Sequence, residues 1–189
     1  MKRILIAIIV IVLAAIVYHG LSGGTKEEIS QEGVTDIVNS ETTVLGALKA
    51  LEKYNINFTI SEPCKSMLKN HPEYYDGSTL DSPATDKMVF GASYEDIINN
   101  IDDNGNNIVL LPDCTVISVY RSEKDSGIAI IELLDSESNY YMMVSDYQFD
   151  NVSEGDEIGG FYTPAGTMEF TNQDNEDSIG VVGVIALHD

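Results

Sequence analysis

The chain has 189 residues, of which 10 are Lys or Arg and 31 are Asp or Glu, giving a formal net charge of -21 at pH 7. That length accommodates one compact domain, or one domain with a small appendage. With 43% hydrophobic residues the chain can bury a core, while its charge excludes nucleic acid and anionic lipid as partners, because both need a surface of the opposite sign.

Met1 is followed by Lys2 and Arg3, then by an uninterrupted apolar run from Ile4 to Val17 and a flank of Tyr18, His19, Gly20 and Leu21. Basic residues ahead of an apolar run hold the N-terminus in the cytoplasm, so the rest of the chain is expected outside. Residues 1–21 read either as a single-pass signal anchor, crossing the cell membrane through residues 4–21, or as a signal peptide whose removal leaves a secreted protein. The run itself fits a signal-peptide core of about 7 to 15 residues. Counted through Leu21 it approaches the roughly 20 residues of a membrane helix. Every acid lies beyond this segment, so the outer part is more acidic than the total.

Residues 22–40 are rich in Gly, Ser and Glu and read as a spacer, with Val34 to Val38 as a stretch able to dock. Residues 41–106 read as a small α+β segment. Glu41-Thr42-Thr43 supplies a cap and an early acid for a helix with the stripe Val44, Leu48 and Leu51, ending near Tyr54. Asn55 to Ile60 alternates polar with apolar, as a short strand does. Cys64 to Asn70 forms a short helical piece before His71-Pro72, and Tyr74 to Thr85 is full of turn residues. Ser93-Tyr94-Glu95-Asp96 opens a second helix that buries Ile97, Ile98 and Ile101 and stops at Asn104-Gly105.

Residues 107–189 change to strands separated by turns. Strands are predicted at Asn107 to Leu111, Cys114 to Arg121, Ile128 to Leu134, Asn139 to Tyr147, Glu157 to Thr163, Thr167 to Thr171 and Ile179 to Leu187. Ile128 to Leu134 is apolar on both faces apart from Glu132, which makes it a central strand. Gly159, Gly160, Gly180 and Gly183 fall inside strands, where they permit the coiling of a small closed barrel. The succession CTVISVYR, IAIIELLD, NYYMMVSD, NVSEGDEIGGFYT and IGVVGVIAL resembles the five-stranded OB-fold barrel over about residues 113–189. Together with the elements read above, the fold expected is α+β: an N-terminal membrane helix, a small helical/αβ segment and then a C-terminal antiparallel OB-like β-barrel. OB folds bind oligonucleotides or oligosaccharides on one face, but that face would here carry Tyr with almost no Arg or Lys. The resemblance implies architecture and no nucleic-acid ligand. A lipoyl-bearing barrel is excluded, since no Lys follows Lys124.

Cys64 and Cys114 are the only thiols, each beside a turn. An even count in an exported chain makes a disulfide one reading, stabilising by roughly 4 kcal/mol in the chain-entropy picture, and two separate thiols the other. His71 and His188 are the only histidines beyond residue 21, too few for a nitrogen-rich metal site. Calcium needs only oxygens, and the turn carrying Asp174, Glu176 and Asp177 offers them, although such turns are also solvated hairpin tips. Asn100 to Gly105 partly follows a calcium loop but has Leu111 where the bidentate acid belongs, so it reads as a helix stop. No esterase, zinc-protease, phosphate-loop or Cys-x-x-Cys motif appears.

Tyr140-Tyr141 and Phe161-Tyr162 are paired aromatics on strands. Neighbours on a strand face opposite ways, so one of each pair faces outward, where such rings stack on sugars or anchor a protein. The function expected is a membrane-tethered or secreted extracytoplasmic module, non-enzymatic and without a cofactor other than calcium, that binds a protein or envelope glycan. The alternatives are an envelope hydrolase using paired carboxylates and a calcium-stabilised adhesive module.

Overall fold

The computed structural model describes residues 30–54, 57–75, 86–124, 127–171 and 177–188. The expected membrane segment, residues 1–21, lies outside these, as do residues 22–29 of the expected spacer, and Ile56. Among the described residues no helix is long and apolar enough to cross a membrane.

Three helices come first. Helix α1, Gln31–Ser40, is capped by Ser30, whose hydroxyl accepts from the Gly33 N–H at 3.1 Å, and it buries Val34, Ile37 and Val38. This part of the expected spacer is therefore structured: three apolar residues at spacing i, i+3, i+4 form a stripe, and a wall is present to receive it. Helix α2, Val44–Tyr54, is capped by Thr43 and buries Val44, Ala47, Leu48 and Leu51, as its periodicity predicts. Helix α3, Glu62–Asn70, is capped by Ser61 with Pro63 in its first turn, and a 3-10 turn follows at Pro72–Tyr75. Residues 57–60 form no strand, although Phe58 and Ile60 are buried as the alternation suggests. The segment instead lies against the barrel: the Ser61 N–H donates to the Ala165 carbonyl at 2.8 Å. Gly166 permits this approach, since a Cβ there would come within 2.5 Å of the Thr59 carbonyl oxygen.

A two-residue strand β1, Met88–Val89, precedes helices α4, Tyr94–Asn99, and α5, Ile101–Asn104. Ser93 and Asp96 form a capping box on α4. The chain breaks helical geometry at Asn100 (φ -132°, ψ 46°), so the single helix expected here is two short ones.

Five long strands follow: β2, Ile108–Arg121; β3, Ala129–Asp135; β4, Tyr140–Ser145; β5, Glu157–Thr171; β6, Asp177–His188. Two of them each unite a pair of strands expected to be separate. Pro112 and Pro164 are accommodated by register shifts, between Leu111 and Cys114 in β2 and between Pro164 and Gly166 in β5. The strands close into a barrel in the order β2-β3-β4-β6-β5, with β5 returning to β2, while β1 adds at the edge of β2. Within the barrel β4 and β6 run parallel, and the other neighbours are antiparallel.

The pleat divides the barrel's side chains between two cores. Leu111, Val116, Ile131, Leu133, Met143 and Val181 fill the interior, which α4 helps to close through Ile97. Ile128, Ile130, Met142, Val144, Val182 and Val184 face outward and are buried beneath α1–α3. Residues 128–131 are therefore apolar on both faces because both faces are covered there.

Candidate functional site

The helical layer does not cover the whole outer wall. In β2 a register shift between Val116 and Ser118 places Ser118 opposite Glu132, and Tyr120 opposite Ile130. In the next pair Glu132 lies opposite Met142, and Leu134 opposite Tyr140. Ile130, Met142 and Val144 are buried, whereas Ser118, Tyr120, Glu132, Leu134, Tyr140 and Phe170 are half-buried. This end of the wall forms a partly exposed shelf, with Tyr120 and Tyr140 packed against the edge of the outer core.

Glu132 stands at its centre. Tyr140 Oη donates to one carboxylate oxygen at 3.0 Å, and Tyr120 Oη makes a long contact of 3.5 Å to the other. Ser118 lies opposite Glu132 across the β2–β3 pair, where its hydroxyl favours the ionised carboxylate. Burial pushes the Glu132 carboxyl up from its ordinary range, the three hydroxyls pull it part of the way back, and the negative charge of Glu154 adds to the rise. Burial, followed by the charge of Glu132, likewise raises the Tyr120 hydroxyl. No basic side chain among the described residues forms an ion pair with Glu132.

The aromatic part of the shelf has a defined base. The Tyr140 and Phe170 rings lie 4.9 Å apart at 39°. Gly180 sits beneath them: a Cβ at that position would fall 2.6 Å from Tyr140 Cδ1 and 3.5 Å from Phe170 Cε1. Glu154 belongs to the loop joining β4 to β5, which Arg121 secures. Its guanidinium donates to the carbonyls of Gln148 at 2.9 Å, Phe149 at 2.7 Å and Val152.

Of the four aromatics expected on a binding face, only Tyr140 belongs to this shelf. Tyr141 and Tyr162 are 2% and 0% exposed inside the barrel, as the pleat requires of the residue following each outward one. Their rings meet edge to face at 6.1 Å, and Tyr141 Oη donates to Asp135 at 3.3 Å. Phe161 is half-buried and faces outward, but on another sector of the wall, opposite Leu110 and 6.0 Å from the ring of Phe90. Phe90 and Leu110 are 69% and 46% exposed.

The Cys64–Cys114 bridge does not form; both thiols are free and buried. Cys64 on α3 belongs to the outer core and Cys114 on β2 to the inner one, so the barrel wall stands between them. Burial pushes each thiol up to about 12. Of the calcium candidates, Asp174 and Glu176 lie outside the described residues, while Asp177 is the first residue of β6. Among the described residues no group of three or more His, Cys, Asp or Glu side chains is placed to hold a metal. Asn104 and Gly105 end α5, in keeping with the helix-stop reading.

No match was found. Neither a protein-family model, nor a curated protein, nor a solved structure resembles this chain at a significant level. The site rests on its own geometry; from the sequence, Tyr140 was a binding-face candidate and Glu132 only the charged exception in the apolar run Ile128 to Leu134. Ser118, Tyr120 and Phe170 gave no separate signal, because only the register brings them beside it.

Proposed function

We propose that the chain is a non-enzymatic extracytoplasmic binding module, membrane-tethered or secreted, that presents the Glu132 shelf to a protein or envelope glycan. The observation that carries this reading is a hydrogen-bonded carboxylate, with no basic partner among the described residues, beside a tilted pair of rings on a partly exposed stretch of wall. The strand order and the single parallel pairing within the barrel support its OB-like character. In that fold the second and third strands form the usual ligand face. Here those strands are β3 and β4, where Ile130, Met142 and Val144 are buried and Glu132, Leu134 and Tyr140 are half-buried.

The test is in-cell photo-cross-linking from position 134 in the full chain, with a cross-linker at exposed Glu95 as control. A discrete adduct from 134 and none from 95 supports the module; equal labelling from both positions refutes it.

A carboxylate-dependent envelope hydrolase is the second reading, favoured by the raised proton affinity of Glu132 near the charge of Glu154. It requires that Glu132→Gln and Glu154→Gln each abolish turnover of an envelope polysaccharide that the unaltered chain cleaves. Absence of any turnover by the unaltered chain eliminates it.

A further inference from the structure

We propose that the shelf recognises the ammonium group of an amino sugar, in a glycan whose amines are free and not acetylated. The inference rests on the binding-module reading and deepens it. Glu132 supplies the first argument. A carboxylate offers about four lone-pair directions; Tyr140 donates to one oxygen at 3.0 Å and Tyr120 makes a long contact of 3.5 Å to the other, with Ser118 opposite in the register. The other named charge acting on Glu132, that of Glu154, is also negative. Hydroxyls satisfy the geometry of a carboxylate but leave its charge uncompensated, and only a proton or a bound cation supplies that.

The rings supply the second argument. Tyr140 donates its hydroxyl to Glu132 while its ring lies beside Phe170, so one residue joins the charged and apolar parts of the shelf. A sugar presents an apolar C–H face that packs on an aromatic ring, and an ammonium close to such a ring gains cation–π attraction as well. A neutral sugar would use the rings and leave Glu132 without a counter-charge. A sulfated or phosphorylated glycan would meet a chain of net charge -21. An amino sugar satisfies both halves of the shelf at once.

Burial favours the protonated form of Glu132 and a bound ammonium favours the ionised one, so binding should release protons wherever Glu132 is partly protonated in the free protein. Calorimetry in two buffers of different ionisation enthalpy measures that release directly. The full-length chain is titrated with a glucosamine oligomer, with the fully N-acetylated oligomer of equal length, and with a lysine peptide of matching charge.

The expected result is at least tenfold tighter binding of the free-amine oligomer than of the acetylated one, with proton release. Glu132→Gln should abolish both the preference and the release while keeping a cooperative melt, and Phe170→Ala should weaken both oligomers. Equal affinity for the two oligomers, or a preference undiminished in Glu132→Gln, overturns the proposal. Tight binding of the lysine peptide with neither oligomer bound overturns the amino-sugar assignment and leaves the shelf as a protein-binding surface. Failure of all three probes overturns the amino-sugar assignment, and together with equal cross-linking from positions 134 and 95 it overturns the module itself.

Discussion

The hydroxyl of Tyr162 provides a sharp test of the barrel interior. The residue is fully buried, and its oxygen has no hydrogen-bond partner among the described residues. A buried hydroxyl left without a bond costs roughly 1–3 kcal/mol, whereas an apolar group of the same shape has no such cost. Tyr162→Phe keeps the ring, which is held edge to face by Tyr141 and has no room to shift toward Gly183, where a Cβ would lie 2.6 Å from its Cδ2. The substitution should therefore stabilise the protein by about 1–2 kcal/mol. For a folded unit of this size that raises the melting temperature by roughly 2–8 °C. Urea denaturation should show a higher midpoint at unchanged slope, which separates a native-state gain from a change in the unfolded chain. A loss of about 1 kcal/mol or more would mean that the hydroxyl is bonded, and would refute the account of the interior as dry at this point.

Three further outcomes follow from the same geometry. Burial raises the folded-state proton affinity of Glu132, so its contribution to stability is full below the unfolded value and is lost as pH rises through the folded one. Glu132→Gln should match the unaltered chain near pH 4 and become increasingly more stable toward pH 8; a difference that does not vary with pH contradicts this. Arg121→Ala removes charge-assisted bonds to three carbonyls and frees Phe149 from its left-handed conformation (φ 54°), at a cost of about 2–3 kcal/mol in chemical denaturation. Arg121→Lys should recover only part of that, since a point charge cannot span the three acceptors. Because Cys64 and Cys114 are free, buried and pushed up to about 12, neither should react with a thiol reagent before unfolding. A reductant should leave the melting temperature unchanged; a fall of several degrees would show that a bridge exists.

Much of the architecture could be read from local pattern. The stripe of α2, the serine cap of α4 and the strand character of residues 107–189 are properties of neighbouring residues, and each element appears where its pattern lies. The exceptions share a cause. Residues 31–40 look like a spacer until a wall exists to receive Val34, Ile37 and Val38. Pro112 and Pro164 look like strand ends until a register shift absorbs them. Of the candidate site, Tyr140 was legible as one of a pair of strand aromatics, and Glu132 stood out only as a charge in an apolar run. Ser118, Tyr120 and Phe170 join them only through pairing between strands distant in sequence, and alternation gives the spacing of the aromatics without saying which parity faces inward.

The position of β6 has a consequence for how the protein acquires its form. β6 joins β4 on one side and β5 on the other, yet it comes after both in the chain. Until residues 177–188 are available the barrel is an open sheet with two bare edges, and Tyr140 lacks the Gly180 base on which it lies beside Phe170. Folding must therefore wait for the last strand and proceed through non-local pairings, which is the slow regime for β topologies. A chain held unfinished at that stage would also present unpaired strand edges to its neighbours, so the interval before β6 docks is the one in which misassembly has its opportunity.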